Sequence, residues 1–265
     1  MLLSPEHMVG LLSPMNTRRH WQNGKRMLQH VKVHLVIGTS VIWLLLMPRE
    51  AVAEWYADAY AGAVFTQNTD LTVSSSLGST TFQNLSVNNS ATVGGRGGYW
   101  VDQLDWLGFG LDIFFFHVKA PSQAVSVSSS TGATTSAFAD WNLPALGIGF
   151  DVLRLRAPLL RDEEFVHGRL QPYISAGPAL FISWAGQNRN VQPDNQNATD
   201  VNVGVKAGGG VSFLLTKTVG LFTEYRFTHF TSQLTYQNTT PAPATETFKA
   251  SYDSHHIIAG VSVRF

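Results

Sequence analysis

The strongest constraint on the fold is an alternation of apolar and polar residues that recurs in eight segments between residues 54 and 265. In L-G-F-G-L-D-I-F-F-F-H-V-K (107–119), for example, every second residue from Leu107 to Phe115 is apolar. Because side chains point alternately to the two faces of a β-strand, a two-residue period predicts strands. The chain is therefore expected to be all-β. The segments are 54–66, 91–101, 107–119, 143–155, 172–184, 201–215, 219–232 and the stretch ending at Phe265.

The connections between these segments alternate in length. Four are long and rich in Ser, Thr, Asn and Gln, whereas most of the others are only a few residues long. Strands of nine or more residues with longer loops on one side are typical of outer-membrane barrels, while soluble domains use shorter strands. Lipid supplies no partners for an open sheet edge, so a spanning sheet must close. We predict an eight-stranded antiparallel up-and-down transmembrane β-barrel in which the terminal strand pairs with residues 54–66. The four predicted extracellular loops are 68–90, 120–139, 185–200 and 237–251.

Charged residues within the segments fall on the face opposite to the apolar one, which places them inside the predicted barrel. An eight-stranded barrel is just wide enough to be filled by side chains, and buried charges are tolerated when they are paired. We therefore predict a salt-bridged, closed lumen. A solvated polar face of a soluble sandwich is the alternative interpretation. The predicted lumen network consists of four acids and four bases: Asp58, Arg96, Asp112, Asp151, Lys206, Glu224, Arg226 and Arg264.

The N-terminal region has the pattern of a secretory signal peptide. Basic residues between Arg18 and Lys32 precede an apolar run of about fifteen residues, which is shorter than the roughly twenty that a spanning helix needs. A small-x-small site follows at 51–53. We predict that residues 1–53 are a signal peptide cleaved before Glu54 and that residues 54–265 form the barrel domain.

Several stretches resemble the OmpA-like, or porin-family, eight-stranded outer-membrane β-barrel domain of Gram-negative bacteria. They are A-V-A-E-W-Y-A-D-A-Y-A-G-A, V-G-G-R-G-G-Y-W-V, L-Q-P-Y-I-S-A-G-P-A-L, L-F-T-E-Y-R-F-T-H-F and H-H-I-I-A-G-V-S-V-R-F. The resemblance implies localisation in the cell outer membrane, among lipids and lipopolysaccharide. It also implies that the terminal strand is the recognition signal for the barrel-assembly machinery, with Phe265 its key residue and Val263 and Val261 on its apolar face.

One stretch, T-H-F-T-S (228–232), raises the possibility of catalysis. Outer-membrane lipid A deacylases carry a His and a Ser two residues apart on a barrel strand, and such a nucleophile needs a base and a group that orients the base. His229 has Thr231 at that offset, Ser232 falls on the opposite face, and the sequence identifies no acid. Ordinary strand sequence is the alternative interpretation, and we expect no catalytic residue.

No other site is expected from the sequence. The remaining histidines lack ligand spacing, so neither a metal nor a cofactor is predicted, and the absence of a Lys/Arg cluster after residue 53 argues against nucleic-acid binding. Aromatic residues near segment ends are expected to form the two interfacial girdles of a membrane barrel, with a sugar-binding platform as the alternative. These residues are Trp55, Tyr99, Trp100, Tyr173, Trp184 and Tyr252.

The predicted function is that of an integral outer-membrane protein with a structural or surface-interaction role. Loops held by a rigid scaffold are the expected place for contacts with surface ligands, although they fit inert hydrophilic cover equally well. Two alternatives remain: a narrow channel or carrier for small hydrophobic molecules, and a lipid A-modifying hydrolase that uses His229. The sequence predicts no purpose for the long turn at 157–169.

Overall fold

A computed structural model describes residues 54–76, 78–101, 104–130, 132, 134–184, 198–238 and 244–265. The predicted signal peptide, residues 1–53, lies outside this part of the chain. Within it there is no helix long and apolar enough to cross a bilayer. The strands are β1 (Glu54–Thr66), β2 (Thr69–Ser75), β3 (Gly78–Leu85), β4 (Ser90–Trp100), β5 (Leu107–Ser129), β6 (Thr134–Arg156), β7 (Leu170–Trp184), β8 (Thr199–Leu214), β9 (Val219–Asn238) and β10 (Ala244–Arg264).

Eight of these strands form a closed antiparallel ring in the order β1, β4, β5, β6, β7, β8, β9, β10 and back to β1. The seam joins β1 to β10 from Tyr56↔Arg264 to Thr66↔Ser254. Beyond its end, the Trp55 N–H donates to the Phe265 carbonyl over 2.9 Å and the Phe265 N–H donates to the Trp55 carbonyl over 3.0 Å. The predicted barrel topology and the pairing of the first and last strands are confirmed.

The wall continues beyond the predicted strand ends. Strands β2 and β3 form a hairpin that prolongs β1 and β4, and this hairpin is held between β10 and β5. Strands β5, β6, β9 and β10 reach the same height. The predicted loops 68–90, 120–139 and 237–251 are therefore largely strand, and most of loop 185–200 lies outside the described residues. These stretches form strands because alternate residues in them, such as Val125, Val127 and Phe248, bury their side chains inside the barrel.

An apolar belt surrounds the lower part of the barrel. Its outward side chains are exposed, as at Ile113, Ile174 and Ile257. Ring pairs mark its two edges: Trp55 and Tyr99 are 5.2 Å apart at the lower edge, and Phe115 and Trp184 are 5.9 Å apart at the upper edge. Strand β1 crosses the belt in about ten residues, which in a tilted strand spans roughly 25 Å. That height matches the apolar band of an outer-membrane barrel.

Three of the six aromatic residues predicted for the girdles point into the barrel instead. Trp100, Tyr173 and Tyr252 are buried, whereas Trp55 is exposed on the outer face. The cause is their position in the two-residue period, because each shares the inward parity of its strand. Proximity to a strand end therefore predicts the height of an aromatic residue but not the face on which it lies.

Above the belt, the chemistry of the two faces is exchanged along the same strands. In the lower part of β10, Val261 faces outward and His256 inward; in the upper part, Lys249 faces outward while Phe248 and Tyr252 are buried inside. The upper interior joins the hydrophobic core of the molecule. The outer surroundings change from lipid to water at this height, so the apolar residues move from the outer face to the inner one.

Closure of the seam leaves no space beside Gly62. A Cβ atom there would lie 2.1 Å from the Ile257 carbonyl oxygen and 2.7 Å from the Ile258 Cα, so the backbone of β10 would have to move. We expect Gly62→Ala to lower the free energy of unfolding by about 1–3 kcal/mol. The measurement is the temperature at which the compact form of the barrel is lost in a heat-modifiability gel.

Gly97→Ala is the matched control for this seam prediction. A Cβ at Gly97 would meet nothing closer than the Tyr56 carbonyl oxygen at 3.9 Å, so the same substitution is expected to leave the barrel intact. Equal transition temperatures for the two variants would show that the β1–β10 seam is looser than the register indicates.

Candidate functional site

The best-defined polar site of the molecule is the lumen at the height of the belt, and Glu224 lies at its centre. The Arg96 NH1 contacts the Glu224 Oε2 at 2.7 Å, and the Arg226 NH2 contacts the Oε1 at 2.9 Å. The Tyr173 hydroxyl donates a further hydrogen bond of 2.8 Å to the Oε2. The carboxylate is almost fully buried, so these donors replace the water that it loses on folding.

Asp112 is the second centre of the network. Its Oδ2 is 2.9 Å from the Arg226 NH2 and 2.7 Å from the Lys206 Nζ, and its Oδ1 accepts a hydrogen bond from Tyr60. Lys206 also reaches the Asp151 Oδ1 at 2.8 Å. Each cation thus bridges two carboxylates, which is the arrangement that makes enclosed charge tolerable.

Local sequence places these side chains in two ways. The two-residue period brings Glu224 and Arg226 of β9 to the same inner face, where the Arg226 Nε also donates to the Glu224 Oε1 over 3.0 Å. Glycine provides the room for long side chains: a Cβ at Gly149 would lie 3.0 Å from the Cδ of Lys206. Lys206 is therefore packed against backbone where any other residue would crowd it.

All eight residues predicted for the lumen network are buried inside the barrel. Seven of them are connected in one chain of ion pairs that runs from Asp58 to Asp151. Its first link joins the Asp58 Oδ2 to the Arg96 Nη2 over 2.8 Å. The eighth, Arg264, is not in that chain. Its guanidinium contacts Glu54, which also binds Arg156.

The interior also holds three charged residues that were not predicted to lie there: Glu54, Arg154 and Arg156. Glu54 has the inward parity of Asp58 and was missed because it begins the first strand. The two arginines turn inward because a register shift between Gly149 and Leu153 leaves both Val152 and Leu153 exposed on the outer face. Such a bulge shifts the two-residue period by one, and the sequence alone does not reveal it.

A cluster of aromatic rings fills the lumen directly above the ionic network. Phe181 and Phe230 stack with centroids 4.4 Å apart, and Phe230 lies 5.2 Å from Tyr252. Phe116 packs edge-on against Phe230 at 6.1 Å and against the buried His256 at 5.1 Å. The described interior is therefore filled at two heights, by ion pairs below and by rings above.

A polar cluster lies on the outer face near the upper edge of the belt. The His229 Nδ1 is 2.6 Å from the Asp253 Oδ1, with the two side chains 45% and 40% exposed. Beside them, the Thr231 and Ser251 hydroxyls are 2.9 Å apart. Asp253 lies on the neighbouring strand, so the sequence did not show that a carboxylate stands beside His229. Ser232 points into the barrel, as its parity predicted.

The terminal strand and the long turn occupy the lower end of the barrel. Val261 and Val263 of β10 face outward and are partly exposed within the belt. In the 157–169 turn, the Asp162 side chain accepts hydrogen bonds from the backbone N–H groups of Glu164 and Phe165. The Phe165 ring is buried, so this turn is packed against the barrel end.

Comparisons with known proteins agree with this architecture. A family model described as outer membrane protein beta-barrel domain matches residues 44–265. OprG from Pseudomonas aeruginosa is 11% identical, with 80% of this chain and 95% of that chain covered, and its TM-score of 0.50 shows a shared fold. No curated protein matches the chain.

Two further solved structures are similar at lower TM-scores. Neisserial surface protein A is 18% identical over 81% of this chain and 98% of its own, with a TM-score of 0.36. The N-terminal β-barrel domain of Pseudomonas aeruginosa OprF is 11% identical over 80% and 97%, with a TM-score of 0.34.

The central position of Glu224 makes a prediction about stability. Glu224→Gln removes the charge that Arg96 and Arg226 share, and breaking a buried pair in this way costs about 3–5 kcal/mol. We expect a loss of that size in the free energy of unfolding. Urea unfolding of the protein in lipid vesicles, followed by tryptophan fluorescence, measures it.

Asp105→Asn is the control for the Glu224 prediction. It removes the carboxylate from the exposed 2.6 Å pair with Arg161, and such surface pairs contribute less than about 1 kcal/mol. A small effect at Glu224, comparable to that at Asp105, would mean that water enters the lumen and solvates the arginines.

Proposed function

The chain belongs to the outer membrane protein β-barrel domain family, and from this premise we propose that its role in the outer membrane is structural or surface-interacting and that its lumen does not conduct. The observation that carries the proposal is the filled interior. An eight-stranded barrel leaves room for little besides its own side chains. Here Arg226 and Glu224 occupy the lower part and Phe181 and Phe230 the upper part.

The part of the barrel above the belt supports a surface role. Its outer wall carries paired hydroxyl groups, such as Thr235 with Thr247 at 3.3 Å and Thr72 with Thr81 at 3.2 Å. A hydroxyl-rich wall at this height suits contact with the sugars and headgroups of lipopolysaccharide. The stretches 68–90, 120–139, 185–200 and 237–251 are proposed to meet further surface ligands.

Assembly of the barrel is proposed to depend on the terminal strand. Phe265, Val263 and Val261 would be read by the barrel-assembly machinery before the strand pairs with β1. In the folded protein the same residues lie at the seam, where Phe265 pairs with Trp55 through two backbone hydrogen bonds. One strand thus serves first as the recognition signal and then as the last element of the wall.

Electrical recording tests the closed lumen. We expect the purified protein in planar bilayers to show no steady conductance above that of the bare membrane, because ions have no continuous aqueous path past the paired charges and the rings. A general porin reconstituted in the same bilayers is the positive control. Steady single-channel openings would contradict the closed lumen and favour the alternative, a narrow channel or carrier for small hydrophobic molecules.

A lipid A-modifying hydrolase is the second candidate function, and one observation favours it: the contact between His229 and Asp253. Such a pair orients an imidazole so that it can accept a proton from a hydroxyl attacking an ester carbonyl. The Thr231 and Ser251 hydroxyls lie beside it. The cluster is on the lipid-facing side near the upper belt edge, where lipid esters of the outer leaflet are within reach.

Mass spectra of lipid A from cells with and without the expressed protein separate the two candidates. We expect identical spectra, because the Thr231 and Ser251 hydroxyls, which are the candidate nucleophiles, bond to each other. Loss of an acyl chain on expression, abolished by His229→Ala, would establish the hydrolase. His255→Ala is the control, since this histidine also lies on the outer face but contacts the Tyr225 hydroxyl at 2.6 Å.

A further inference from the structure

A cavity of about 10 Å³ lies inside the lower end of the barrel, which is room for one water-sized body. Side chains from seven of the eight ring strands surround it. It lies below the Glu224 network and beside the group formed by Glu54, Arg156 and Arg264. The residues that line it include Tyr56, Asp58, Trp100, Arg154, Tyr173, Ser212 and Arg264.

Positive charge predominates around this cavity. Among the described residues enclosed in the lower lumen, six are basic and five are acidic, which leaves one positive charge uncompensated. Two local contacts show where the excess lies. The single carboxylate of Glu54 forms ion pairs with both Arg156 and Arg264. The Asp151 carboxylate is likewise shared between Lys206 and Arg154. An unpaired charge in a barrel interior is costly, so a compensating anion would be stabilising.

Arg154 is the most weakly paired of these bases. Its nearest carboxylate oxygen, on Asp151, is 3.4 Å from NH1, whereas the central ion pairs are 2.7–2.9 Å long. Its guanidinium carbon lies 4.3 Å from the Tyr173 ring centroid, 5.0 Å from Tyr56 and 5.5 Å from Trp100. The rings cover the faces of the guanidinium and hold it in place, so its edge N–H groups remain for a ligand.

Four lining residues carry buried polar atoms that have no hydrogen-bond partner, and three of these atoms are donors: the Nε atoms of Arg154 and Arg264 and the Oγ of Ser212. All three side chains are more than nine-tenths buried, and all three can donate. The lining atom of opposite character is the Asp58 Oδ1. The charge of Asp58 is already balanced, because its Oδ2 accepts a hydrogen bond from the Arg96 Nε and lies 2.8 Å from the Arg96 Nη2.

We propose that this cavity binds one small monovalent anion, chloride in the cell, between the side chains of Arg154, Arg264 and Ser212. A halide accepts hydrogen bonds from several donors at once and needs no particular direction of approach, which suits two guanidinium edges and a hydroxyl. Chloride is larger than the water-sized space, so the ends of the two arginine side chains have to move slightly apart to admit it, whereas polyatomic anions such as phosphate are far too large. The bound ion neutralises the lower lumen and ties β6, β8 and β10 together.

Crystals of the full-length processed protein soaked in sodium bromide test the site directly. We expect an anomalous bromine peak inside the cavity and no such peak in Arg154→Met, which keeps an unbranched side chain as far as the position of Nε but removes the guanidinium with its charge and donors. Arg161→Met is the control variant, because this arginine is exposed on the 157–169 turn and does not line the cavity. The bromine peak in the cavity is expected to remain in this variant.

A second measurement, made in solution, tests the site even if a variant does not crystallise. The thermal midpoint of the wild-type protein in detergent is expected to be higher in sodium chloride than in sodium gluconate at equal ionic strength, since chloride binds only the folded state. This difference is expected to disappear in Arg154→Met and to persist in Arg161→Met. An ordered water without anomalous signal in the wild-type cavity, or a bromine peak that survives Arg154→Met, would overturn the proposal.

Discussion

The barrel closes through backbone hydrogen bonds between β1 and β10, and this pairing determines the shape of everything inside. In lipid, an N–H or carbonyl group without a partner costs several kcal/mol, so the first and last strands have to meet. Once they meet, eight strands enclose an interior of fixed and narrow width. Every inward side chain then has to fit that space and satisfy its polar atoms within it. The close backbone contact at Gly62 shows how little freedom the seam leaves.

The interior meets this demand in two different ways along its length. Within the belt, arginine, lysine and acidic side chains cross the lumen from opposite walls and pair with one another. At the upper edge of the belt and above it, Phe230, Tyr252 and Phe248 fill the same width with rings. Both solutions fill the described lumen with side chains, and both join opposite walls through direct contacts. This division follows the outer environment, because each strand needs one face suited to its surroundings and one suited to enclosure.

The two-residue period predicted the charged residues inside the barrel better than it predicted where the strands end. All eight charged residues assigned to the lumen do lie inside, since a two-residue period is preserved wherever the strand is regular. Arg154 and Arg156 were not predicted to lie inside, because the bulge before Leu153 exchanges the inward and outward positions of the strand. The upper parts of the strands were predicted to be loops because their apolar residues face inward and their polar residues outward, the reverse of the pattern in the belt. Val125 and Val127, for example, point inward and alternate with serine. A polar stretch that looks like a loop by composition is, in its alternation, still a strand.

The class of fold, the eight crossings of the belt and the inward set of charges follow from the amino-acid sequence, because all three depend on an alternation local to each strand. The pairing of the charges, the position of Asp253 beside His229 and the surplus of donors around the lower cavity arise only when the strands come together. These depend on the relative stagger of neighbouring strands around a closed ring. Stagger is set by bulges and by side chains from strands far apart in the chain, so no single segment contains it.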